Sequence, residues 1–150
     1  TGDTIVSAYA QTTDMRGLKY PDIGQTMYRF ASGATATLET VWCMPEHTPF
    51  DIDERMTVIG TEGLIHIQDT FPNLGIVTKN RGIHSPDTTY WPEFDGVRGG
   101  ALREEFLNFA DCALRGVQPT VSTPVDAMRA LQATLAAEES ARTGQVVKIQ

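Results

Sequence analysis

The spacing of apolar residues changes period once along this chain, and that change restricts the folds open to it. Across residues 25–43 side chains alternate: Thr26, Tyr28 and Phe30 fall on one face, and Gln25, Met27 and Arg29 on the other. The next run repeats the pattern, with Ala34, Ala36, Leu38 and Trp42 opposite Thr35, Thr37, Glu39, Val41 and Cys43. A period of two is that of a β-strand. Later, Leu102, Phe106, Phe109 and Ala113 recur at helical spacing, as do Met128, Leu131 and Leu135. Strands first and helices later predict an α+β fold, a largely antiparallel sheet with helices packed on one face. One strand face is apolar and the other mixed and Thr-rich, which suits a sheet left open on one side.

The remaining elements fit this order. Residues 4–11 read as an opening strand, and 12–22 as a polar loop. Residues 25–30 and 34–43 form a pair joined at Ala31-Ser32-Gly33. A connection with two prolines spans 43–54, and a further strand is expected at 75–78. Residues 79–100, with Pro86, Pro92 and four glycines, read as one long irregular segment kept ordered by Tyr90, Trp91 and Phe94. The first helix has Glu104 and Glu105 in its opening turn and Arg115-Gly116 at its end. The second begins with Thr123 as cap, Pro124 at the first helical position and Asp126 returning a bond to the cap; Gly144 ends it. A last strand is expected at 146–149.

Gly60-Thr61-Glu62-Gly63 sits between two apolar runs and invites comparison with a phosphate loop. Such a loop needs a helix directly after it, whose free N–H groups face the anion. Here Leu64-Ile65-His66-Ile67 follows, short and β-rich, so the stretch predicts a hairpin with 55–59, its glycines accommodating unusual backbone angles. None of the thirteen glycines is followed two residues later by another, so GxGxxG is absent and no dinucleotide site is visible.

The chain's 150 residues are enough for one domain with a proper core. Net charge is −7, without a Lys/Arg cluster, which argues against nucleic acid. No apolar run reaches membrane-spanning length. Cys43 and Cys112 are far apart and outside any CxxC pattern, the usage of a reduced, cytoplasmic protein. Thr1-Gly2-Asp3 leads into a strand with neither an initiator Met nor a signal pattern, as in a processed chain or a piece of a longer one.

Sites of chemistry are sparse. His47, His66 and His84 are not spaced as helical ligand pairs, and His66 alternates within a strand. Asp51-Ile52-Asp53-Glu54 lacks the glycine and distal Glu of a calcium loop. No Gly-x-Ser-x-Gly elbow exists. Two irregular segments remain as candidates for substrate binding: residues 42–51, with Trp42, His47 and Phe50, and residues 85–98, with Tyr90, Trp91 and Arg98. Aromatics and Arg on loops suit a polyol or sugar-like ligand, while the same aromatics also serve as core caps. No residue is assigned a catalytic, cofactor-binding or metal-binding role.

Taken in order, Phe30-Ala31-Ser32-Gly33-Ala34, Leu38-Glu39 with Trp42, the 58–67 hairpin, Asp87-Thr88-Thr89-Tyr90-Trp91, Glu105 with Phe109, and the run from Ala136 through Glu138, Ser140 and Arg142 to Gly144 carry a resemblance. Together they resemble the C-terminal domain of the Gfo/Idh/MocA family of NAD(P)-dependent oxidoreductases, over nearly the whole chain. The resemblance implies that residues 1–150 are one C-terminal substrate and oligomerisation domain. An absent N-terminal Rossmann domain would bind NAD or NADP and supply a Glu-Lys-Pro motif with the catalytic Lys. The family's Asp-x-x-x-His element would lie just upstream of residue 4. Substrates would be sugars, inositols or related polyols, and the open sheet face would build a homodimer or tetramer. This chain alone would then bind no cofactor and be inactive. The alternative is a non-catalytic sheet-mediated dimerisation or ligand-binding module, complete as it stands. Substrate identity, NAD against NADP, and net against transient redox chemistry rest on residues outside this chain.

Overall fold

The computed structural model describes residues 2–50, 52–67 and 74–149. Thr1 and Asp51, which the expectations above include, lie outside the described residues. The first strands are β1 (Ile5–Thr13), β2 (Ile23–Phe30) and β3 (Thr35–Val41). Next come β4 (Met56–Ile59), β5 (Leu64–Ile67), β6 (Ile76–Thr78), β7 (Gly82–His84), β8 (Glu93–Phe94) and β9 (Val97–Arg98). The chain ends with α1 (Ala101–Arg115), α2 (Pro124–Thr143) and β10 (Val147–Lys148). Two compact units result: Thr1–Met44 with Thr120–Gln150, and Pro45–Pro119. No described helix is long and apolar enough to cross a membrane.

The first unit is an antiparallel sheet in the order β10-β1-β2-β3, with α2 against one face. Its rungs follow the expected alternation: Ala8 pairs with Tyr28, and Tyr28 with Ala36, while Tyr9 pairs with Met27, and Met27 with Thr37. Ala8, Ala10 and Tyr28 are buried against Ala133, Ala136 and Ala137, with Ile5, Ala141, Val147 and Ile149 around them. Apart from the Tyr28 ring, small side chains line this seam, so the helix backbone approaches the sheet closely. The opposite face carries Tyr9, Gln11, Gln25, Met27, Arg29, Thr37 and Glu39, and Met27 is 55% exposed.

One expectation about α2 is corrected. Met128, Leu131 and Leu135, predicted to be its buried stripe, are exposed. The buried stripe is Ala133, Ala136, Ala137 and Ser140, spaced i, i+3, i+4, i+7. A sheet already filled by Tyr28 selects against size, and alanine satisfies the same period. The ends of α2 form as expected: Asp126 N–H donates to the Thr123 hydroxyl at 3.2 Å, and Thr123 N–H to the Asp126 carboxylate at 3.0 Å. Gly144 closes the helix in the left-handed region at φ 69.

The second unit is built of hairpins and α1. β4 pairs with β5 through Gly60–Gly63, and Gly60 N–H donates to Gly63 C=O at 2.8 Å. The turn is a hairpin as predicted, but neither glycine has a positive φ, so their backbone freedom is not what makes it.

The strand expected at 75–78 forms as β6, while the expected irregular segment at 79–100 holds its partner β7 and a further hairpin, β8–β9. Asp95 and Gly96 both have positive φ, 50 and 76, between Phe94 and Val97, which pair. That is the Asp-Gly turn of a two-residue hairpin, a local signal that the glycine and proline content of the segment obscured. In α1, Cys112 is buried, whereas Leu102, Phe106 and Phe109 are exposed. Gly116 caps this helix at φ 64.

Candidate functional site

Trp42 follows directly on β3 in the first unit and is 79% exposed. Its N–H donates to the Asp22 carbonyl at 2.7 Å. Asp22 is the residue that sequence reasoning missed here. It is 3% exposed, and its carboxylate accepts Met15 N–H at 2.9 Å and Arg16 N–H at 3.1 Å. The Arg16 guanidinium donates to the Met44 carbonyl at 2.9 Å. A buried carboxylate thus organises the 14–22 loop from inside and fixes the start of the segment carrying Trp42. Buried acids persist where backbone N–H groups replace water.

The other five candidates lie in the second unit. His47 is exposed within a turn that Thr48 N–H closes on Pro45 C=O at 3.0 Å. Phe50 is half-buried and forms an isolated parallel bridge with Ser85. Ser85 N–H donates to Pro49 C=O at 2.6 Å, and its hydroxyl to Leu74 C=O at 2.7 Å. The Tyr90 hydroxyl donates to Glu54 Oε2 at 2.7 Å. The two irregular segments are therefore tied together at Ser85, and Tyr90 ties the second to Glu54, beyond the end of the first.

Tyr90 and Trp91 form an aromatic ledge, with ring centroids 6.1 Å apart at 53°. Asp87 sets their backbone. Its Oδ1 accepts Thr89 and Tyr90 N–H at 2.8 Å each, and Oδ2 accepts Trp91 N–H at 2.7 Å. Burial alone would push the Asp87 carboxyl upward, but the three N–H donors outweigh it and hold the group below its usual value. On the far side, the Thr89 and Tyr90 carbonyls accept the first amides of α1, Ala101 N–H at 2.9 Å and Leu102 N–H at 3.3 Å. Gly100 makes this approach possible. It sits at φ 86, ψ −175, and a Cβ there would lie 2.5 Å from the Tyr90 oxygen. Arg98 is engaged by Glu93 at 3.2 Å in an exposed pair across the β8–β9 hairpin.

The histidines divide further. His66 is a cross-strand partner of Thr57, with Nδ1 2.9 Å from the threonine hydroxyl. His84 is half-buried in β7, and its Nδ1 is enclosed without a hydrogen-bond partner among the described residues. Asp53 holds the Arg55 guanidinium through both oxygens at 2.9 and 3.1 Å. No group of metal-ligating side chains occurs among the described residues.

A dinucleotide pyrophosphate needs a helix start with free N–H groups. The first amides of α1 are taken by Thr89 and Tyr90, and the start of α2 is closed by the Thr123–Asp126 box. The Gly60–Gly63 turn leads into a strand. These residues do not fit such a group.

Residues 2–149 match the family model described as the oxidoreductase family, C-terminal alpha/beta domain, of the Gfo/Idh/MocA group. The scyllo-inositol 2-dehydrogenase (NAD(+)) of Bacillus subtilis is 32% identical over 133 residues, covering 87% of this chain and 36% of that protein. Among solved structures, GenD2 from gentamicin A biosynthesis, in complex with NAD, superposes with a TM-score of 0.73 at 25% identity over 98% of this chain and 42% of its own. The myo-inositol 2-dehydrogenase of Lactobacillus plantarum shares the fold, with a TM-score of 0.68 at 21% identity over 100% of this chain and 44% of its own. The chain thus spans under half the length of each of these relatives. It belongs to the Gfo/Idh/MocA oxidoreductase family and corresponds to the C-terminal domain of its members.

Proposed function

We propose that this chain is the substrate-side and oligomerisation domain of an NAD(P)-dependent oxidoreductase acting on a sugar, inositol or related polyol. The observation that carries the reading is the 32% identity to a scyllo-inositol 2-dehydrogenase across 87% of the chain. The geometry agrees with a holding role. The Tyr90–Trp91 ledge is fixed by Asp87 on one side and by the α1 amides on the other, and a fixed aromatic face suits the C–H faces of a ring polyol. Trp42, His47, Phe50 and Arg98 are the further residues assigned to this role. NAD or NADP belongs to a part of the enzyme outside this chain, since the helix starts here are closed. The free thiols Cys43 and Cys112 suit a cytoplasmic protein.

The test compares the 150-residue chain with the full-length protein, each offered NAD or NADP and a panel of inositols and sugars. Turnover by the full-length protein and none by the chain alone is expected. Turnover by the isolated chain would sink the division of labour. A full-length protein that binds neither nucleotide would leave the non-catalytic module as the better account.

A further inference from the structure

We propose that Asp87 is a positioning residue for substrate whose two carboxylate oxygens have separate tasks, Oδ1 closing the turn and Oδ2 aiming Trp91. This deepens the holding role proposed above and rests on it. Residues 89–92 lead into β8 and belong to no strand, so no ladder satisfies their backbone groups. These groups are met one by one instead. Thr89 and Tyr90 N–H each donate to Asp87 Oδ1 at 2.8 Å, and their carbonyls accept from Ala101 and Leu102. The carbonyl of the buried Pro92 accepts Gly99 N–H at 2.9 Å.

The two aromatic residues are held unequally. Tyr90 is half-buried and bonded through its N–H, its carbonyl and its hydroxyl, the hydroxyl reaching Glu54 Oε2 at 2.7 Å. Trp91 is 52% exposed, and its N–H donates to Asp87 Oδ2 at 2.7 Å. Packing restrains an exposed indole weakly, so its direction follows its backbone. Trp91 therefore depends on Oδ2 more than Tyr90 depends on Oδ1.

An asparagine would separate the two tasks. The turn needs one acceptor oxygen, which an Asn side chain also supplies. With that oxygen on Thr89 and Tyr90, the Asn amide NH2 would face the Trp91 N–H, donor against donor. Trp91 must then turn away, or the amide flips and gives up two bonds to keep one. A loop that needed only to close would be served by either side chain. The carboxylate adds a hold on the exposed indole, the face that a ring polyol would meet.

The experiment uses the full-length protein with NAD or NADP, offers scyllo-inositol, myo-inositol and glucose as probes, and follows KM and kcat separately. Asp87→Asn raises KM for the probe turned over by about five- to tenfold, the cost of ordering a loosened side chain on binding. It leaves kcat and the KM of the nucleotide within about twofold. Trp91→Ala raises the same KM by at least as much, and the double variant is no worse than Trp91→Ala, because Asp87 acts through Trp91. Additive losses, or a lower kcat at unchanged KM, overturn the positioning role and leave Asp87 as a fastener of the fold. A Trp91→Ala protein with the wild-type KM overturns the part given to Trp91. A wild-type protein that turns over none of the probes overturns the functional reading itself. Where Asp87→Asn folds poorly, hydrogen exchange of the wild-type protein decides. The Trp91 amide, though on an exposed residue, exchanges at least about tenfold more slowly than in a free peptide, and an unprotected amide overturns the proposal.

Discussion

Ser140 is fully buried at 0% exposure, and its hydroxyl bridges two backbone groups distant in sequence. It accepts Ala10 N–H at 2.9 Å and donates to Gln145 C=O at 2.6 Å. The strand register explains why. β1 pairs with β10 through Ser7 and Lys148, then Ala8 and Val147, and continuing that register brings Gln145 opposite Ala10. The direct rung does not form there, and the serine oxygen stands between its two halves. Ser140→Ala removes both bonds and opens almost no cavity. The Ala10 amide, in a residue 3% exposed, loses its acceptor at a cost of about 1–3 kcal/mol. The Gln145 carbonyl belongs to an exposed residue and recovers a bond from water. A loss of about 2 kcal/mol follows, or roughly 4–8 °C in Tm for a chain of this size. Urea denaturation of the 150-residue chain reads it, with Thr134→Ala as control. Thr134 is exposed and its hydroxyl donates to Ala130 C=O of its own helix, at 3.0 Å, and should stay within about 0.5 kcal/mol of wild type. A Ser140→Ala protein inside that same margin would refute the reasoning. It would mean that β10 closes directly onto Ala10 once the hydroxyl is gone.

Two further perturbations follow from the loops and caps. Gly100→Ala forces a side chain into a conformation that essentially only glycine adopts, 2.5 Å from the Tyr90 oxygen; a destabilisation of at least about 2 kcal/mol is expected, and an unchanged urea midpoint would show that the 89–100 approach is not rigid. Asp126 is held below 3.8 first by the Thr123 hydroxyl and then by the Thr123 N–H. The folded state therefore favours its carboxylate. That contribution is complete above pH 3.8 and is lost as pH falls through the lower folded value. Asp126→Asn should flatten this part of the acid limb in pH-dependent melts, and an unaltered slope there would contradict the assignment.

The run of strands followed by helices, and the glycines that close both helices, were legible because each rests on local chemistry. A period of two places Tyr28 and Met27 on opposite faces wherever β2 pairs. Thr123-Pro124-Val125-Asp126 closes a cap without help from elsewhere. What was not legible depends on how elements meet. Nothing local to α2 states that the sheet beneath it takes alanine rather than Met128, Leu131 and Leu135; the choice depends on the Tyr28 ring. The hairpin inside 79–100 was not legible for the opposite reason. Asp95-Gly96 is a local signal, but both of its strands are two residues long, too short for alternation to register. In the candidate site, aromatic content marked Tyr90 and Trp91, while Asp87, which sets their backbone, was quoted only as part of a motif.

Asp22 and Asp87 show one device used twice. Each carboxylate collects successive backbone N–H groups, two at Met15 and Arg16 in one case and three at Thr89, Tyr90 and Trp91 in the other. A loop without ladder partners must satisfy its amides somehow, and a carboxylate does so through charge-assisted bonds that water competes with poorly. Other polar groups of the candidate segments are engaged as well: the Tyr90 hydroxyl with Glu54, and Arg98 with Glu93. These carboxylates act as fasteners, and Asp87, holding three N–H bonds, makes a poor proton acceptor, as its lowered pKa reflects. The chain therefore spends its acids on order. That supports the holding role proposed above.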